Sequence, residues 1–198
     1  MEHVDYHVGR VIDHIEDLGE LDNTLVIYLT ADNGCTAEGT PTGTFSELLM
    51  QNGFPPLTME QQLEKLEEFG GLDAWGGPHM TNHYSVAWAY ASSTPFQWTK
   101  QMASHFGGTM SATAIRYPKA IEAKGEWRRQ FQNVTDLVPT ILEVTGVPAP
   151  DYVNGQKRKA YPGKSLTYAW NDPNAMTNHP TQYFEMTGFV GLYHEGWT

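Results

Sequence analysis

Val4, Val8, Val11, Ile12, Ile15 and Leu18 recur three and four residues apart, with acidic residues and histidines between them. That spacing predicts an amphipathic helix, and Gly19 supplies its stop. After the turn residues Asp22-Asn23 the pattern changes. "TLVIYLT", Thr24 to Thr30, is a β-rich apolar run without alternation. It predicts a strand covered on both faces, as in a parallel sheet. The run stops on Asp32-Asn33-Gly34. Helix, turn, buried strand and polar loop are the grammar of an α/β protein.

A second helix is predicted from Thr58, where "TMEQ" has the Thr-x-x-Gln form of a capping box. Met59, Leu63, Leu66 and Phe69 give its apolar stripe, and Gly70-Gly71 ends it. From Leu72 to Ser93, Gly, Pro, His and Trp alternate without a period, which predicts a long loop of the kind that often carries function. "TAIRYP", Thr113 to Pro118, predicts a short strand closed by proline. "VTDLVPTILEVTG" predicts a helix with Asp136 and Pro139 near its first turn and Gly146 at its end. Pro148, Pro150 and Pro162 mark a linker, and the stretch from Thr181 to Trp197 predicts an aromatic-rich hairpin turning near Thr187-Gly188.

Composition narrows the classes of function. A chain of 198 residues, 40% hydrophobic and 18% charged, can bury a core and is not disordered. Its 23 acidic against 12 basic residues, a net charge of -11, disfavour nucleic acid as a partner, because phosphate binding needs clustered Lys and Arg. The densest basic stretch, "GQKRKAY" from Gly155 to Tyr161, reads as a solvated loop. A single cysteine permits no internal disulfide and leaves the redox compartment unread. No segment approaches the about 20 continuous apolar residues of a membrane span. The residues from Met1 onward carry no apolar signal core, so no export signal is read there.

Two stretches hold chemistry. Asp32 and Asn33 follow the carboxyl end of a predicted strand, where ligands of open α/β sheets bind. A carboxylate and an amide oxygen are hard ligands suited to calcium or magnesium, while an ordinary Asx turn accounts for the same residues. Cys35 follows at once and reads either as a nucleophile without an assignable base or as a small half-buried side chain. In "STPFQWTKQMASHFGGT", Ser93 to Thr109, Lys100 and His105 lead into Gly107-Gly108, a setting that suits an oxyanion such as sulfate or phosphate. His3, His7 and His14 fall on the polar side of the first helix. His79 and His83 lie four apart, a metal-binding spacing only on a helix, which the Gly-Pro context opposes.

Taken together, several stretches resemble the sulfatases, and among them the bacterial arylsulfatase type. "DNTLVIYLTADNG" resembles the family's strand ending in a metal-binding Asp-Asn-Gly, and "AEGTPTGTFSE" the loop after it. "AWAYASSTPFQWTKQMASHFGGT" is similar to the segment that carries a sulfate-contacting lysine. "VTDLVPTILEVTGVPAP" and "QYFEMTGFVGLYHEGW" resemble the later helix and closing hairpin, in the family's order.

The resemblance implies a partial alkaline-phosphatase-like α/β sandwich with a small C-terminal antiparallel sheet. Residues 1–148 would be the C-terminal part of the catalytic domain, and residues 149–198 a linker and small antiparallel subdomain. It makes Asp32 and Asn33 calcium ligands and Lys100 a contact to the sulfate oxygens of a small-molecule sulfate ester, with His105 a weaker transfer as catalytic acid. The family's nucleophile is a formylglycine made from a Cys-x-Pro-x-Arg motif. Here Cys35 is followed by Thr36, Ala37 and Glu38, so that nucleophile is absent and the chain alone is expected to be inactive. The expectation is therefore the C-terminal portion of a calcium-dependent sulfate ester hydrolase, with the remaining N-terminal portion as a partner. Family members are often periplasmic or secreted. A phosphoester or phosphonate hydrolase of the same superfamily, and a catalytically dead fragment, stand as alternatives.

Overall fold

The computed structural model describes residues 2–198. In chain order the principal elements are helix α1 (Glu2–Asp17), strand β1 (Val26–Leu29), helices α2 (Glu47–Gln51), α3 (Met59–Glu68), α4 (Val86–Ser93) and α5 (Phe106–Thr109), and strand β2 (Thr113–Arg116). Helix α6 (Leu137–Thr145) follows, then two hairpins: β3 (Tyr152–Val153) with β4 (Gln156–Lys157), and β5 (Thr181–Met186) with β6 (Phe189–His194). No helix among the described residues is long and apolar enough to cross a membrane.

The chain divides into two compact units. One holds the residues up to Thr30, Ala112–Gln182 and His194–Gly196. The other holds Ala31–Ser111, Tyr183–Tyr193 and Trp197–Thr198.

In the first unit α1 ends as its sequence dictates, with Gly19 at φ +73° closing it. β1 departs from expectation. It pairs antiparallel with β2, Val26 opposite Arg116 and Leu29 opposite Thr113, and all four of its residues are only half-buried. Its run lacks alternation because both faces are partly covered, not because a parallel sheet encloses it. α6 begins from a buried polar node. Asn133 caps the preceding turn: its Oδ1 accepts from the Thr135 amide at 3.0 Å, and its own amide donates to Asp136 Oδ2 at 2.7 Å. The fully buried Asp136 Oδ1 also accepts from the Lys164 amide at 2.8 Å and faces His179 Nδ1 at 2.9 Å. Thr140, equally buried, donates to the Asp136 carbonyl and accepts from the Leu166 amide, tying α6 to the apolar residues Leu166, Ala169 and Trp170. The basic loop expected near Gly155 is the β3–β4 hairpin, whose Asn154-Gly155 turn takes φ of +50° and +75°. Asn-Gly is the residue pair that such a two-residue turn favours.

In the second unit the core is Phe45, Leu66 and Met80, with Leu49, Leu57 and Ala74 packed against it. α3 is held at its start by the predicted capping box: Thr58 Oγ1 accepts from the Gln61 amide, and Gln61 Oε1 accepts from the Thr58 amide. The long loop expected through Ser93 ends early. Val86–Ser93 is α4, which buries Ala89 and Ser93. Its sequence, "VAWAYASS", is apolar on most sides, so no helical period showed.

Candidate oxyanion and metal site

Asp32, Asn33, Lys100 and His105 all belong to the second unit, and backbone contacts lace their two segments together. The Lys100 amide donates to the Cys35 carbonyl at 2.9 Å, the Gly34 amide to the Gly108 carbonyl at 3.0 Å, and Ser111 Oγ to the Asn33 carbonyl at 2.9 Å. This lacing needs glycine on both sides. A Cβ on Gly34 would overlap the Gly107 carbonyl, and a Cβ on Gly107 would overlap the carbonyls of Gln97 and Trp98. Trp98 and Gln101 sit in the left-handed region at φ +67° and +77°, a conformation that costs a non-glycine residue about 1–2 kcal/mol. The lacing on either side of Lys100 holds them there.

Asp32 is exposed and Asn33 half-buried, and Asn33 Nδ2 donates to Asp32 Oδ1 at 3.0 Å. That leaves the amide oxygen of Asn33 and the second carboxylate oxygen of Asp32 without a partner among the described residues. The Lys100 ammonium is paired with Glu38, at 3.2 and 3.4 Å from its two oxygens. Gln101 Nε2 reaches the same carboxylate at 3.3 Å, and Thr36 Oγ1 donates to it at 2.8 Å. The Thr36 hydroxyl, seconded by Lys100, holds the Glu38 carboxyl below its usual range. His105 is exposed, with Nδ1 2.9 Å from Ser104 Oγ and its ring edge-on to Trp98.

Comparison with known proteins fixes the lineage. A profile of the sulfatase family matches residues 1–147. The chain belongs to the sulfatase family. It is 35% identical over 153 residues to an uncharacterized sulfatase of Schizosaccharomyces pombe, an alignment covering 77% of this chain and 24% of that protein. The chain therefore spans about a quarter of the length of that relative.

Within this sulfatase segment Cys35 is half-buried, and its carbonyl, not its thiol, makes the structural contact. His79 stacks on Phe69, apart in role from His83. His83 is buried and joins Glu38 and Glu47 in a cluster whose potential ligand atoms lie within 4.8 Å of one another. Sequence reasoning missed this cluster. Its members lie up to 45 positions apart and share no spacing rule; pairing of the Thr44–Glu47 stretch with the Thr81–His83 stretch brings Glu47 to His83, and the close approach of Gly39 to the His83 ring brings Glu38.

Proposed function

We propose that this chain carries part of the sulfate-binding face of a sulfate ester hydrolase within an alkaline-phosphatase-like α/β fold, acting on small aryl or carbohydrate sulfates. The observation that supports the reading is the lacing of the Asp32–Cys35 loop to the segment of Lys100, which joins the two stretches by direct hydrogen bonds. The free oxygens of Asp32 and Asn33 fit calcium as two of its about six to eight oxygen ligands. When bound, calcium would supply positive charge against the sulfate oxygens. An amide oxygen at position 33 suits calcium better than zinc, which favours sulfate hydrolysis over the zinc phosphatases of the same fold.

The chain's own residues then have defined tasks. Lys100 Nζ leaves Glu38, to which it is held by long contacts in a half-exposed pair, and turns to the incoming anion, where it neutralises charge that grows in the transition state. Glu38 keeps its hydrogen bonds from Thr36 and Gln101. His105, with Nδ1 engaged by Ser104 and Nε2 without a hydrogen-bond partner among the described residues, would deliver a proton to the leaving oxygen. The nucleophile lies outside these residues, since Cys35 stands in no Cys-x-Pro-x-Arg motif.

Calorimetric titration of sulfate in the presence of calcium tests the binding half of the proposal. The unmodified chain is expected to bind sulfate, and Lys100→Ala to weaken binding at least about tenfold, the loss of one charge-assisted contact. Equal binding by the variant contradicts it.

A further inference from the structure

We propose that Glu38, Glu47 and His83 form a binding site for one zinc(II) ion, separate from the Asp32–Asn33 pair. The first ground is proximity: one carboxylate oxygen from each glutamate and a ring nitrogen of His83 lie within 4.8 Å of one another. The second is the state of the histidine. His83 is 8% exposed, and its Nδ1 sits 2.8 Å from the Tyr84 carbonyl. A carbonyl only accepts, so Nδ1 carries the proton and the lone pair is on Nε2. A ring nitrogen donating to a backbone carbonyl while the other keeps its lone pair is the arrangement that orients metal-bound histidines. Nε2 has no hydrogen-bond partner among the described residues.

Glu47 supplies the third ground. Its amide donates to the Thr81 carbonyl at 2.9 Å, yet its half-buried carboxylate has neither hydrogen bond nor ion pair among the described residues. Lys100 balances Glu38 alone, so the cluster carries one uncompensated negative charge beside the unpartnered Nε2 of a buried histidine. A divalent cation satisfies both. The frame is built in advance: Thr44 and His83 exchange backbone hydrogen bonds at 3.0 and 2.8 Å, and Gly39 lies so close to the His83 ring and the Tyr84 carbonyl that any Cβ would overlap them.

Imidazole and carboxylate are both ligands that zinc accepts, and three of them with an open position match the ligand number of its open sites. Zinc bonds of about 2.0–2.2 Å place tetrahedral donors roughly 3.4 Å apart, so the glutamate side chains close inward on binding. Glu38 contributes one oxygen and keeps its Thr36 hydrogen bond, while its long contacts to Lys100 give way.

The test is competition for zinc(II) against a chromophoric chelator, in a His3→Gln/His7→Gln background, because those two rings lie 4.4 Å apart on α1 and would chelate adventitiously. One zinc ion per chain is expected. Glu47→Gln and His83→Gln should each weaken it on the order of 100-fold, and Asp32→Asn and Lys100→Ala should leave it in place. Cobalt(II) in the same site should give the intense visible bands of a tetrahedral complex. No stoichiometric binding overturns the proposal. So does binding that survives both Glu47→Gln and His83→Gln. Loss in Asp32→Asn alone would relocate the ion to the calcium pair and equally overturn it. A failure of sulfate binding without loss of zinc would count against the function proposed above and leave this site standing.

Discussion

Glu38 is the residue on which the local electrostatics turn. It accepts from Thr36, Lys100 and Gln101 at once, and the first two of these lower its carboxyl below the ordinary 4.5. A depressed carboxyl stabilises the fold above its unfolded value, and that contribution disappears as pH falls through the folded value. The loop contacts of Glu38 are thus present from neutral pH down to about 4.5 and lost below it. A carbon-13 titration of the Glu38 carboxyl should give a midpoint under 4.5, moving upward in Thr36→Ala, which removes the largest cause. A midpoint at or above 4.5 in the unmodified chain, or no movement in the variant, would refute this. Nothing at residue scale in the sequence predicted it, because Thr36 and Glu38 read only as loop polarity and Lys100 is 62 positions away.

At the scale of elements, two loops in backbone contact decide whether the site exists. Gly34 is the hinge of that contact, since the smallest side chain there meets the Gly107 carbonyl. Gly34→Ala should separate the Asp32–Cys35 loop from the Lys100 segment. It should destabilise the chain by a few kcal/mol, as steric strain at a special backbone position does, and abolish sulfate binding. Unfolding in urea and sulfate titration measure the two effects, and a variant that matches the parent in both would show the contact to be dispensable. The glycine was visible in the sequence, but its reason was not: the partner backbone lies over 70 positions further on. Elements with local signals were legible. The capping box at Thr58, the Gly19 and Gly146 stops and the Thr187-Gly188 turn, at φ +48° and +87°, all follow from neighbouring residues. α4 and the β1–β2 pairing were not. The first is apolar without a period, and the second depends on a partner about 90 residues away whose direction no run of apolar residues encodes.

For the whole molecule, the family and the distribution of apolar surface belong together. Val11 and Leu18 on α1 are 61% and 64% exposed, and Trp127 and Trp197 more than 80%. A chain spanning about a quarter of its relative's length has apolar residues facing outward that carry the pattern of a core. With a net charge of -11, an anion site on this chain needs a locally positive group, the part proposed for Lys100. The proposed function gives this lysine and the Asp32-Asn33 pair a part in sulfate ester hydrolysis. Rates of the full-length protein on a chromogenic aryl sulfate and on the matching phosphate ester, with and without Lys100→Ala, test it most directly. Faster turnover of the sulfate and a loss on the order of 10²–10³ in the variant are expected; preference for the phosphate, or a variant as fast as the parent, would overturn the proposed function.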